Sequence, residues 1–251
     1  MKKIQYIAFL ILYLVSEISF SKPTKIDYFK TGSGLSIFLY SQYIYKNKND
    51  KFQYYRQENV NSFDSFLRSK LKWNDSNLTI ASIYSDFLLY GIALGSIPFT
   101  ASIIDGDINE NILFFINTLS VNGLITNLVK NISSRERPLY RYNSSKKKSN
   151  ESFKSFYSGH TSSVFAIGTS TALLLSNQFP NSKNLIWLTT FSLSTITGYF
   201  RVASDNHYTT DVVFGAMMGI ATGYFLHKKP PNGGSNLSFT KNSIRYSYHL
   251  R

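Results

Sequence analysis

Cysteine is absent from the 251 residues, which excludes disulfide frameworks and every thiolate metal site. Acidic residues are scarce: 14 Asp and Glu stand against 27 Lys and Arg, for a net charge of +13. No cluster of carboxylates or histidines occurs at metal-ligand spacing, so neither a metal nor another cofactor is expected. Charge of either sign is sparse at 16%, while hydrophobic residues reach 43%, enough for a sizeable core or a membrane-embedded part. The mean hydropathy of −0.13 is nevertheless low for a polytopic membrane protein. The positive excess suits a partner carrying negative charge, such as a phosphorylated substrate or an anionic lipid headgroup. Nucleic acid is not expected, because the lysines do not interleave with aromatics as a strand-binding platform requires. No internal repeat is present.

The chain begins with Lys2 and Lys3, an apolar run from Ile4 to Val15, and the small residues Ser19 and Ser21. That is the pattern of an export signal over 1–21 or, uncleaved, of an N-terminal anchor. Either places the remaining chain on the periplasmic side of the cell envelope. Residues 22–230 read as one helical domain and 231–251 as a tail. Leu35 to Tyr45 fits a short helix or a strand. Phe63, Phe66, Leu67 and Leu71 recur at helical spacing between polar residues, which predicts an amphipathic helix packed on the core or lying on a membrane surface. Five apolar segments follow: Ile83–Ile104, with Asp86 inside it and a kink at Pro98; Asn111–Val129; Thr161–Ser176; Leu185–Phe200; and Val212–Leu226. Their lengths fit core helices of a bundle and, at the short end, membrane spans. Asp86 reads as a structural carboxylate with a nearby donor. Lys146, Lys147 and Lys148 form a solvated charge run that can also serve as an attracting rim. After Pro230-Pro231 and Gly233-Gly234, alternation from Leu237 to Leu250 reads as a short C-terminal hairpin.

Three polar stretches border the apolar segments. Lys130 and Arg137 are separated by six residues, about two helical turns if the helix continues, and Pro138 turns the chain. Two cations aimed at one spot repel unless an anion lies between them; basic residues at a helix end also simply suit the dipole. Ser158-Gly159-His160 opens an apolar helix, where free amides form an anion site and glycine permits close backbone approach. Ser158 also suits an ordinary N-cap. Arg201, His207 and Asp211 precede the last helix. A carboxylate one turn from a histidine can accept the proton of one ring nitrogen and leave the other free as a nucleophile.

Together these stretches resemble the type 2 phosphatidic-acid phosphatase and vanadium haloperoxidase superfamily. Its signature is a lysine, six residues and Arg-Pro; then Pro-Ser-Gly-His; then an arginine, five residues, a histidine, three residues and an aspartate. Lys130, Arg137 and Pro138 meet the first, Ser158, Gly159 and His160 the second, and Arg201, His207 and Asp211 the third. Tyr157 stands where proline is usual, a departure at the turn and not at a phosphate ligand. The resemblance covers residues 130–219 and implies an all-α bundle of about five to six core helices with the motifs meeting at one end. It further implies that Lys130, Arg137, Ser158, Gly159 and Arg201 bind the phosphoryl group. His207 would attack phosphorus, Asp211 orient His207, and His160 act as general acid and base. The implied partner is a phosphorylated lipid or a small phosphate ester at a membrane surface. Rival expectations are a soluble non-specific acid phosphatase, a vanadium-dependent haloperoxidase and a non-catalytic protein that binds anionic lipid.

Overall fold

The computed structural model describes residues 25–47, 60–143, 145–146, 148–227, 235–240 and 243–248. The expected export segment lies outside these residues.

The chain is a helical bundle, as expected. α1 spans Lys25–Asn47, so the ambiguous aromatic stretch is helical. α2 (Ser62–Leu71) is the amphipathic helix. Asn61 caps it by accepting the Asp64 N–H at 2.7 Å. α3 (Leu78–Gly91) and α4 (Ile97–Ile103) are joined by a single π turn, Ile92–Ser96. The cause is Pro98, which lacks an N–H and whose ring collides with the carbonyl one turn earlier, so the ladder widens before it. α5 (Ile108–Ser133) starts at Asp107, whose side chain accepts the N–H groups of Asn109 and Glu110. It stops at Ser134, which adopts a left-handed conformation with φ 45°. α6 (Pro138–Arg141) is one turn. α7 (Gly159–Gln178), α8 (Lys183–Ala203) and α9 (Thr209–Phe225) complete the bundle. Two strands, β1 (Ser235–Thr240) and β2 (Ser243–Tyr248), pair antiparallel as the terminal alternation predicts.

α7 is the central helix. It is buried nearly all round, from Thr161 to Ser176, and packs against α9, α8 and α5. The contact with α9 is close because α9 presents glycine every fourth residue. A methyl group added at Gly219 would lie 2.2 Å from the Ser162 carbonyl oxygen, and one at Gly215 would lie 2.7 Å from that of Ser158. These glycines bring the two backbones together at the end of α7 where the second motif lies. The apolar core proper is Ile97, Ile104, Phe114, Phe115, Ile167, Leu174 and Leu175, toward the opposite end of α7. The bundle therefore has one apolar end and one polar end.

Two helical stretches are long and apolar enough to cross a membrane: Asp75–Ile103, mean hydropathy 1.5, and Ile108–Arg141, mean hydropathy 1.6. The first is poorly covered by the rest of the chain. Phe87 is 74% exposed and Leu94 76%, and Ile83, Tyr90 and Phe99 are exposed beside them.

Candidate active site

The three motifs converge at the polar end. Lys130 lies three residues from the end of α5. A Cβ built on Gly159 would lie 3.8 Å from Lys130 Cε, so the lysine stem runs alongside the start of α7. Its Nζ donates to the Lys154 carbonyl at 2.8 Å. Arg137 does not share a helix with Lys130, contrary to the two-turn spacing expected. The left-handed Ser134 ends α5, and Arg137 is extended with φ −70° and ψ 145°. That turn, and not a common helix face, brings the guanidinium back. Arg137 Nε donates to the Glu151 carbonyl at 2.9 Å, and Nη1 lies 3.4 Å from Asn206 Oδ1, in the third motif. Arg201 is buried at the end of α8. Its Nη1 donates to Ser85 Oγ at 2.8 Å, while its Nε is buried without an acceptor among the described residues. Three cations thus face one region with one buried donor left unmatched. Such an array is stabilised when an anion sits between the charges.

The second motif supplies the floor. Ser158 is the N-cap of α7; its Oγ accepts the Thr161 N–H and lies 2.9 Å from Thr161 Oγ1. The capping and phosphate-binding readings of Ser158 are compatible, since a hydroxyl has one proton to give and two lone pairs to accept. Its own N–H donates to the Asp211 carbonyl at 3.0 Å, which stitches the second motif to the third. Tyr157, in place of proline, is buried with its hydroxyl 3.1 Å from Thr126 Oγ1 on α5. The turn before Ser158 is therefore anchored to α5 through a side chain.

His207 is almost fully buried on the loop between α8 and α9, its N–H donating to the Arg201 carbonyl at 3.1 Å. Its Nδ1 lies 2.7 Å from the Ser155 carbonyl oxygen. A carbonyl only accepts, so Nδ1 carries the proton and Nε2 keeps its lone pair. This corrects the expected role of Asp211 as direct acceptor: Asp211 Oδ2 stands 3.8 Å from Nδ1. The four-residue spacing is not a helical turn here, because His207 precedes Tyr208, which is the extended N-cap of α9 with ψ 161°. Asp211 instead accepts the Tyr208 N–H at 3.0 Å and the Ser155 hydroxyl at 2.5 Å, and so bears on His207 through Ser155. Burial, together with Arg137, Lys130 and Arg201, holds the His207 imidazole well below its ordinary pKa, hence neutral.

His160, second residue of α7, donates through Nε2 to Asp86 Oδ1 at 2.8 Å. Asp86 also lies 3.5 Å from Arg201 Nη1. The lone carboxylate within the apolar run is therefore a part of the site, and not merely the structural group expected of it. Burial lowers the His160 pKa to about 4; the Asp86 hydrogen bond and charge oppose that, while Arg201 and Lys130 add to it. Of the lysine rim, Lys148 pairs with Glu136 at 2.6 Å, so its charge is partly compensated.

A helical bundle that gathers a lysine, two arginines and two differently held histidines at one end is arranged to hold a phosphate-like anion beside an imidazole, and with the family match it marks a phosphatase. The chain belongs to the PAP2 superfamily, whose sequence profile matches residues 111–234. Among solved structures, it is similar to the transmembrane PAP2-type phosphatidylglycerolphosphate phosphatase of Bacillus subtilis. Identity is 19% over 90% of this chain and 94% of that one, with a TM-score of 0.46. No curated protein matches it in sequence.

Proposed function

We propose that this phosphatase removes the phosphate of a lipid phosphate ester or diphosphate at the cell envelope, through a phosphohistidine on His207. The observation that carries this reading is the convergence of Lys130, Arg137 and Arg201 on a neutral imidazole whose Nδ1–H is fixed at 2.7 Å on the Ser155 carbonyl. Phosphoryl transfer asks of a protein chiefly position and positive charge around the equatorial oxygens. The three cations, the Ser158 hydroxyl and the Gly159 amide supply both.

His207 Nε2 forms a bond to phosphorus as the bond to the ester oxygen breaks. The departing alkoxide takes a proton from His160, whose Nε2 is held by Asp86, leaving Nδ1 as the proton carrier. Neutral His160 then takes a proton from water as the water oxygen attacks phosphorus. The N–P bond breaks, inorganic phosphate leaves, and His207 is restored. His160 must be protonated for the first step. With its pKa near 4 in the free protein, the charge of a bound phosphate dianion is what raises its proton affinity toward neutral pH.

The membrane reading is supported by the uncovered apolar face around Phe87 and Leu94, and by Phe63 and Phe66, exposed on the outer face of α2. Apolar surface of that extent is unusual on a soluble monomer and marks contact with another apolar phase. The test is phosphate release by the purified full chain from phosphatidate, an isoprenyl diphosphate and soluble monoesters, alongside His207→Gln. Lipid turnover with an acid-labile, base-stable phosphoenzyme that vanishes in H207Q is expected. Turnover of soluble esters alone, by protein recovered wholly in the soluble fraction, defeats the lipid assignment. Undiminished turnover by H207Q defeats the mechanism.

A further inference from the structure

Behind His207 lies a buried ionic chain that ties Asp211 of the third motif to Arg135 and Asp64, two residues the motif signature does not specify. Arg135 sits between Lys130 and Arg137 in sequence but points away from the phosphate side. Its Nη1 binds Asp211 Oδ1 and lies 2.9 Å from Thr210 Oγ1, and its Nη2 binds Asp64 Oδ2 at 2.7 Å. Its guanidinium also lies 4.3 Å from the centre of the Tyr208 ring. Asp64 is fully buried on α2. It accepts the Thr210 N–H at 2.9 Å and the Thr210 hydroxyl at 2.6 Å, so it also caps the start of α9.

The chain closes on Ser155. The Ser155 N–H donates to the Arg135 carbonyl at 2.9 Å and its hydroxyl donates to Asp211 Oδ2 at 2.5 Å, while its carbonyl faces His207 Nδ1 at 2.7 Å. One end of this residue is tied to the Arg135 backbone and its side chain to the carboxylate that Arg135 grips. Two carboxylates and a guanidinium removed from water are costly individually. Here every charged oxygen is matched by donors, so the set is held in a single arrangement.

We propose that Arg135 and Asp64 are positioning residues for the phosphoryl-transfer reaction: through Asp211 and Ser155 they hold the carbonyl that orients the His207 nucleophile. The proposal rests on the phosphatase reading above. It predicts loss in the chemical step rather than in binding, because neither residue is among the groups facing the phosphate. A nucleophile displaced by an ångström loses on the order of a hundredfold in rate.

The experiment compares wild type, R135Q, R135K, D64N, S155A and D211N as full-length protein in detergent, with folding checked by circular dichroism and thermal melting. Activity is read as kcat and KM for phosphatidate and as the rate of phosphoenzyme formation. R135Q is expected to lower kcat and phosphoenzyme formation by about tenfold to a hundredfold, with KM within about threefold, and R135K to recover part of the loss. In the D211N background R135Q is expected to add little, since the two act in series. Folded R135Q with kcat within about twofold of wild type overturns the proposal, as does an equal loss in the D211N background. If R135Q does not fold, S155A decides: a kcat loss that D211N does not compound supports the chain, and unchanged kcat overturns it. A wild type that releases no phosphate and forms no His207-dependent phosphoenzyme instead overturns the phosphatase reading itself.

Discussion

Replacing Asp86 by asparagine keeps the size and hydrogen-bonding reach of the side chain and removes one charge. The carboxylate is 2.8 Å from His160 Nε2. A hydrogen bond to a charged group contributes roughly 1.5–3 kcal/mol. The Asp86 side chain is 45% exposed, so solvent screens the interaction and about 1 kcal/mol is the appropriate scale. At 1.36 kcal/mol per unit, that is a fall of about 0.7 in the His160 pKa. The sign follows from the proposed role: with His160 as donor of the leaving-group proton, kcat falls as pH rises through the pKa of His160 in the substrate complex. Removing the carboxylate lowers that pKa, and the alkaline limb of kcat moves to lower pH by about half a unit to one unit. Near neutral pH the rate drops about threefold to tenfold. A substrate whose leaving group needs no proton, such as a dinitrophenyl phosphate, is spared most of the loss. The assay is kcat against pH for D86N and wild type with an alkyl and a dinitrophenyl phosphate. An alkaline limb that stays in place or moves upward refutes the assignment of His160 as the acid supported by Asp86, and so does an equal loss on both substrates.

Arg201→Lys keeps the charge but loses the forked donors; a buried Nε and an Nη1 on Ser85 become a single ammonium. A fall in kcat/KM of about tenfold to a hundredfold is expected, read from initial rates, and parity with wild type would show that charge alone suffices there. Gly219→Ala places a methyl group 2.2 Å from the Ser162 carbonyl, forcing α7 and α9 apart at a cost of about 1–3 kcal/mol. Its melting midpoint in detergent is expected to drop by roughly 2–12 °C; an unchanged midpoint would mean that the two helices are not tightly seated.

All eight residues assigned to the site from the motifs stand at the polar end of the bundle, and the reason they were legible is local. Each belongs to a stretch of at most eleven residues that borders an apolar helix, and a cation or histidine there has no apolar explanation. Asp86 was equally visible, because a carboxylate inside an apolar run needs a partner, but its partners lie 74 and 115 residues further along the chain. Only the packing of α3 on α7 and α8 identifies them. The acceptor for His207 was not legible at all. It is a backbone carbonyl, and a carbonyl has no sequence signature. The expectation for Asp211 failed on geometry, since spacing of four means one turn only when both residues are helical. Arg135 was hidden by its neighbours: among Lys130, Arg137 and Arg135, nothing in the order of residues says which cation turns inward to a carboxylate pair.

The substitution of a carbonyl for a carboxylate at His207 has a chemical consequence. A carboxylate in direct contact would fix the same tautomer, but it would also stabilise the imidazolium, and an imidazolium has no lone pair with which to attack. The Ser155 carbonyl orients the ring while contributing no net charge. Asp211, at 3.8 Å, acts through the Ser155 hydroxyl, with its own charge engaged by Arg135. His160 has the opposite arrangement, a carboxylate at 2.8 Å, which suits the opposite task proposed for it, since an acid must be able to take up a proton before giving it away. Burial depresses both rings, and the three cations add to the depression at His207, but only His160 has a carboxylate in direct contact working against it. In the proposed mechanism, two histidines under the same positive field are thereby separated into nucleophile and acid by the identity of one hydrogen-bond acceptor each.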